Sequence, residues 1–119
     1  MITEKAIKVQ TLPSFEFPQH VKCFAREIAG PKTDYDRCSF AYTVLLADGG
    51  AEPHIHDVAD HIYYVLKGGF IYSNFKDEPQ HVRAGEALIA PHGIKHEVKG
   101  NGVEDCEYIV CTNPPAWAK

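Results

Sequence analysis

The stretch His54-Ile55-His56-Asp57-Val58-Ala59-Asp60-His61, together with Pro91-His92-Gly93-Ile94-Lys95-His96 further along, decides how this chain is read. On extended backbone, residues two apart face the same way, so His54 and His56 aim their imidazoles at one centre. The segment Asp57–Asp60 is long enough to bend and start a new strand that carries His61. His96 falls in the run Ile94–Val98, which reads as another strand. Four neutral imidazoles aimed at one point form a transition-metal site, because imidazole nitrogen suits Zn, Cu, Fe and Ni. His54, His56, His61 and His96 are therefore the expected ligands of one divalent transition metal (Fe, Mn, Ni, Zn or Cu).

The glycine pairs Gly49-Gly50 and Gly68-Gly69 flank the first histidine segment. They tolerate positive φ and predict hairpin turns or bulges, which make the histidines part of a tight strand–turn–strand unit. Beyond them, Gly and Pro punctuate the chain, with short runs of β-branched and aromatic residues between. The predicted strands are 21–28, 38–46, 61–66, 70–75, 86–90, 94–98 and 108–112. No window keeps a 3.6-residue period over three turns, so the fold class is all-β, a sandwich or barrel. Residues 1–8 begin either a short helix or an edge strand. The tail from Asn113 leaves regular structure, and Trp117 is its expected packing anchor.

The chain has 119 residues and a mass of 13.3 kDa, a size at which a single domain is the commonest arrangement. An apolar fraction of 45% against 24% charged residues excludes global disorder. A net charge of −4 with no basic run gives no footprint for nucleic acid. The longest apolar run, 41–47, is far short of the roughly 20 residues a membrane helix needs, so no membrane partner is expected. The start is broken by charge and does not read as a signal peptide, which leads to an expectation of a cytoplasmic protein. Cys23, Cys38, Cys106 and Cys111 make no CxxC pair and are expected as free thiols.

The spacing His54-x-His56, four residues, His61, six residues, Gly68 resembles the first motif of the cupin superfamily. Gly85, five residues, Pro91-x-Gly93-x-x-His96 resembles the core of the second. The resemblance implies a jelly-roll β-barrel with a metal inside, formed by residues 1–119 as one domain. Residues 1–13 would be an arm or edge strand, and 113–119 a tail. It also implies a homodimer, with Ile2–Leu12 available to pair with a partner's sheet edge. The family's usual glutamate is replaced here by His61. Asp60 stays as the alternative ligand, because the family spacer is sometimes three residues. With four neutral ligands a divalent metal keeps a formal charge of +2 instead of +1, which makes it a stronger Lewis acid and a better host for an anion.

Alternation assigns inward residues for the barrel. If His61 points inward, so do Tyr63 and Val65; if His96 does, so do Ile94 and Val98. The same reasoning gives Phe40, Tyr42, Val44 and Leu46 in one strand, and Phe70, Tyr72 and Asn74 in another. Tyr42, Tyr63 and Tyr72 are the candidates to hydrogen-bond a small-molecule substrate, and Arg26 is the candidate to hold its carboxylate. His20, His81 and His92 read as surface residues. The expected function is a metal-dependent, dioxygenase-like enzyme acting on an anionic or enolisable small molecule. The alternatives are a redox-neutral isomerase, lyase or cyclase, and a non-enzymatic ligand-binding protein.

Overall fold

The computed structural model describes Ile2 and residues 4–115, so the expected role of Trp117 lies outside the described residues. Among the described residues nine strands form: β1 (Ser14–Phe15), β2 (His20–Ala29), β3 (Ser39–Ala51), β4 (Asp60–Lys67), β5 (Gly69–Ser73), β6 (Gln80–Arg83), β7 (Ala87–Ala90), β8 (Glu97–Gly100) and β9 (Cys106–Asn113). All pairings are antiparallel, in the order β6-β5-β8-β3-β9-β4-β7, with β2 joined to β3 and β1 to β2. The result is an all-β jelly-roll barrel. No helix among the described residues is long and apolar enough to cross a membrane.

β3 is the strand shared by both walls. Its first half pairs with β2 and β9, and its far end, at Gly50, pairs with both Val21 and Lys99. Gly49 and Gly50 therefore lie inside a long strand, at an irregularity in its pairing with β2, so of the two readings, hairpin turn or bulge, the second holds here. The irregularity is a register shift in β2 between Val21 and Cys23. Gly68 does make a corner, with φ of 71°. A Cβ there would run into the Asp105 carbonyl. The chain leaves β4, which pairs with β7 and β9, and enters β5, which pairs with β6 and β8.

The core is built from Cys23, Leu45, Tyr63, Val65, Phe70, Tyr72, Val98 and Tyr108 with their neighbours. In β3 the buried residues are Ser39, Ala41, Thr43 and Leu45, which reverses the expected parity. Phe40, Tyr42, Val44 and Leu46 face outward. The error has a physical cause, because β3 carries apolar residues on both faces and alternation then has nothing to read. Residues 4–8 form neither helix nor strand, and a 3₁₀ turn follows at Val9–Thr11. The arm is held against its own barrel, where Arg26 donates to the Leu12 carbonyl and the Gln10 side chain reaches Tyr42.

One buried group was not anticipated. Glu27 points inward from β2 at 4% exposure, where no side-chain donor hydrogen-bonds its carboxylate. Gly30 accommodates it, since a Cβ at that position would strike its carboxylate. Burial raises its pKa above the ordinary 4.5, and the Lys32 backbone and charge offset only part of that. A carboxyl whose pKa is raised on folding stabilises the fold while it stays protonated, and that contribution is lost as pH rises through the folded value. Glu27→Gln should therefore raise the melting temperature at about pH 8, by the equivalent of about 1 kcal/mol, and the gain should shrink towards about pH 4. Thermal denaturation followed across that pH range checks this.

Candidate metal centre

His54 and His96 come from separate loops and meet as a pair. The His54 amide donates to the His96 carbonyl at 3.1 Å, and the His96 amide returns the bond at 3.0 Å. His96 thus precedes β8, which starts at Glu97, where the sequence placed it inside a strand. His56 is fixed two residues on, its carbonyl accepting from the Gly93 amide at 2.8 Å. The ring centroids of His54 lie 4.5 Å from those of His56 and 4.9 Å from those of His96. Nitrogens of these three imidazoles all fall within 4.8 Å of one another.

Their protonation favours ligation. His54 Nδ1 sits 2.6 Å from the Glu52 carbonyl, and His96 Nδ1 sits 3.3 Å from that of Ile94. A carbonyl only accepts, so both Nδ1 atoms are donors, which leaves Nε2 with its lone pair free for a metal. Burial, reinforced by the neighbouring histidines, lowers His56 to about 4. His96 is lowered as well, chiefly by burial, with His54 adding to the effect.

His61 is not in the three-histidine cluster but stands beside it. It is the second residue of β4, and its ring centroid lies 4.2 Å from His56 and 5.9 Å from His96. Its Nδ1 is buried with no hydrogen-bond partner. Burial first, then His56 and His96, lower its pKa to about 3. A neutral imidazole with an orphaned buried nitrogen beside three others fits a metal and leaves a polar atom unsatisfied without one. Asp60, the alternative ligand, is engaged elsewhere. Its Oδ1 accepts from both the His92 amide and His92 Nδ1, each at 2.8 Å.

A cavity of about 240 Å³ opens over the histidines. Its walls include Leu45, Ala51, Val98, Val110 and the aromatic rings of Phe17, Tyr63 and Tyr108. Among the described residues that line it, none is Asp, Glu, Lys or Arg. Tyr63 belongs to this wall, its ring stacked 6.1 Å from His61. Tyr72 is buried behind the site, stacked 5.8 Å from His96, where it backs the imidazole. Tyr42 and Arg26 face the outside. Tyr42 donates to Glu107, and Arg26 holds the arm.

His20, read as a surface residue, lines the cavity instead. Its ring lies between Phe17 at 5.5 Å and His54 at 6.2 Å, with Nδ1 bonded to the Pro18 carbonyl at 2.8 Å. Alternation could not have found it, because the inward residues of β2 are Cys23, Ala25 and Glu27 and the register shifts between Val21 and Cys23. His92 is exposed, and His81 takes a hydrogen bond from the Asn101 amide.

The family described as Cupin domain matches residues 42–112 of this chain. The chain is a cupin. No curated protein sequence matches it. Among solved structures, the polyketide cyclase RemF from Streptomyces resistomycificus is 20% identical with a TM-score of 0.82, covering 93% of this chain and 80% of that one. A predicted oxalate decarboxylase from Thermotoga maritima is 14% identical with a TM-score of 0.77, covering 92% and 99%. Ectoine synthase from P. lautus is 13% identical with a TM-score of 0.75, covering 97% and 79%. At such identities the likeness concerns this cupin's fold alone.

The depressed histidines set the acid behaviour of the metal-free cupin. Below the ordinary 6.5, the unfolded chain takes up protons that folded His56 and His61 refuse, so stability falls as pH drops from 6.5 towards 4. Each pH unit in that window removes at most about 1.4 kcal/mol per such histidine, less for half-exposed His56 because solvent screens it. Urea denaturation of metal-free protein at several pH values measures this slope, which His61→Ala should flatten.

Proposed function

We propose that this cupin is a metal-dependent enzyme acting on a small anionic or enolisable molecule, with His54, His56, His96 and His61 as the ligands of one divalent transition metal. The observation that carries the reading is a group of imidazoles at one side of a cavity whose described lining holds no Asp, Glu, Lys or Arg. A metal held there supplies Lewis acidity, and with a redox-active ion a means of bringing dioxygen to the substrate. The protein's own part is binding and exclusion. The apolar walls take the body of the substrate out of water, which strengthens every electrostatic interaction at the ligand end. No cationic side chain of the cavity wall competes for the anionic group, so that group is directed to the histidines. Tyr63 and Tyr108 present flat faces that suit an unsaturated or ring-shaped substrate.

Dioxygenase-like chemistry is the first reading, because it asks for no carboxylate base. His20 favours a second. It places a further imidazole in the cavity wall, and its Nδ1–H is already spent on Pro18, so Nε2 is left to accept a hydrogen bond from a substrate hydroxyl. That is the equipment of a redox-neutral isomerase, lyase or cyclase.

Metal analysis of the purified protein comes first. His54→Ala and His96→Ala should lower the metal content from near stoichiometric to near zero, whereas His61→Glu should keep the metal and change which ion is preferred. Stoichiometric metal in both alanine variants would overturn the ligand assignment. An oxygen electrode with metal-loaded protein and a panel of β-diketones and catechols then separates the two readings. Oxygen uptake supports the dioxygenase, and product without uptake supports the redox-neutral enzyme.

A further inference from the structure

The four cysteines divide between the two faces of one sheet. Cys23 and Cys106 point into the barrel at 1% and 0% exposure. The registers pair Cys23 with Leu45 and Leu45 with Cys106, so β3 lies between the two sulfurs and keeps them apart. Burial raises their thiols to about 11 and about 12, which suppresses the reactive thiolate.

Cys38 and Cys111 are arranged differently. Phe40 pairs with Cys111, and Ser39 pairs with Thr112. Ser39 and Thr112 are buried, so Cys111 projects from the outer face, and Cys38, two residues before Phe40, continues that parity. The two cysteines are diagonal neighbours at the same end of adjacent strands, Cys38 just ahead of β3 and Cys111 in β9. Both are half-buried free thiols, and the neighbouring Cys38 adds to burial in raising the pKa of Cys111. Cys38 precedes the first ladder residue of β3, so its backbone is free of the ladder and can close the remaining distance that disulfide geometry asks for. Among the four cysteines this is the pair that shares a face on neighbouring strands of the sheet.

We propose that Cys38 and Cys111 are an oxidative modification site, a dithiol that a peroxide or a small-molecule disulfide converts into an intramolecular disulfide. The two thiols give up two protons and two electrons, and one S–S bond forms. A peroxide carries these away as water, and an external disulfide carries them away as two thiols. The new bond ties the start of β3 to β9 and closes a loop containing His54, His56, His61 and His96. It also anchors Thr112, the residue after Cys111, which lines the cavity and pairs with His61. The oxidised protein should resist unfolding more strongly, because the closed loop has fewer unfolded conformations.

The test uses the full-length reduced protein treated with diamide, whose N=N bond accepts the two hydrogens. Two of the four thiols should disappear on titration in denaturant. Peptide mapping without reductant should join the peptide carrying Cys38 to the one carrying Cys111, the chain should stay monomolecular on non-reducing gels, and the melting temperature should rise. Dithiothreitol should reverse all of these changes. Cys38→Ser and Cys111→Ser should each abolish the intramolecular bond, while Cys23→Ser should retain it. Four titratable thiols after treatment, a bond between different chains, or a bond to Cys23 or Cys106 would each overturn the proposal.

Discussion

Two backbone hydrogen bonds between His54 and His96 hold the rest of the site in place. They join segments that are remote in sequence and that belong to neither of the long ladders. Because backbone groups make the bonds, the side chains remain free to point at the cavity. The geometry therefore survives only where the backbone can come close. His56 is secured the same way by Gly93, whose positive φ of 78° is needed in the turn before His96. The spacing of the histidines is thus set by the backbone pairing, and the imidazoles converge as its consequence.

Burial then decides what those imidazoles are. Four titratable rings within a few ångströms cannot all carry charge, and the cavity offers no carboxylate to stabilise an imidazolium. Burial and the neighbouring rings lower His56, His61 and His96, which favours the neutral form that a metal requires. Asp60, the residue before His61, is taken up by His92. That latch serves the site twice, since it steadies the turn before β4 and keeps a carboxylate from reaching the histidines.

The histidine motif was legible in the sequence because its information is local: an HxH on extended backbone, and a Gly-x-x-His that ends a turn. Strand existence was legible as well, with 61–66 and 108–112 lying inside β4 and β9. What could not be read was anything that depends on which face of a strand is covered. Phe40, Tyr42, Val44 and Leu46 alternate with Ala41, Thr43 and Leu45, and the larger residues are the outer ones. Size and hydropathy therefore pointed Tyr42 the wrong way. Arg26 failed for a related reason, since an arginine on an apolar strand looks the same whether it reaches a substrate or its own arm. The short strands β1 and β6 carry too few residues for any period to register. His20 was missed because its place in the cavity depends on the Phe17–Pro18 bend before β2.

His61 differs from the other three histidines in how the barrel holds it. The other three histidines sit on loop backbone held by single pairings, but His61 is inside the ladder, opposite Ala90 on one side and Thr112 on the other. Its ring cannot swing away to find a partner for the buried Nδ1, and the surroundings give it none. An ionised glutamate in the same place would have to be paid for by a cation or a hydrogen-bond donor, because a buried unpaired carboxylate costs far more than a buried neutral imidazole. The histidine lowers that cost and lets the barrel close over a site without a bound cation. It also leaves this position of the cavity wall without a negative charge, in line with a lining that holds no Asp or Glu among the described residues.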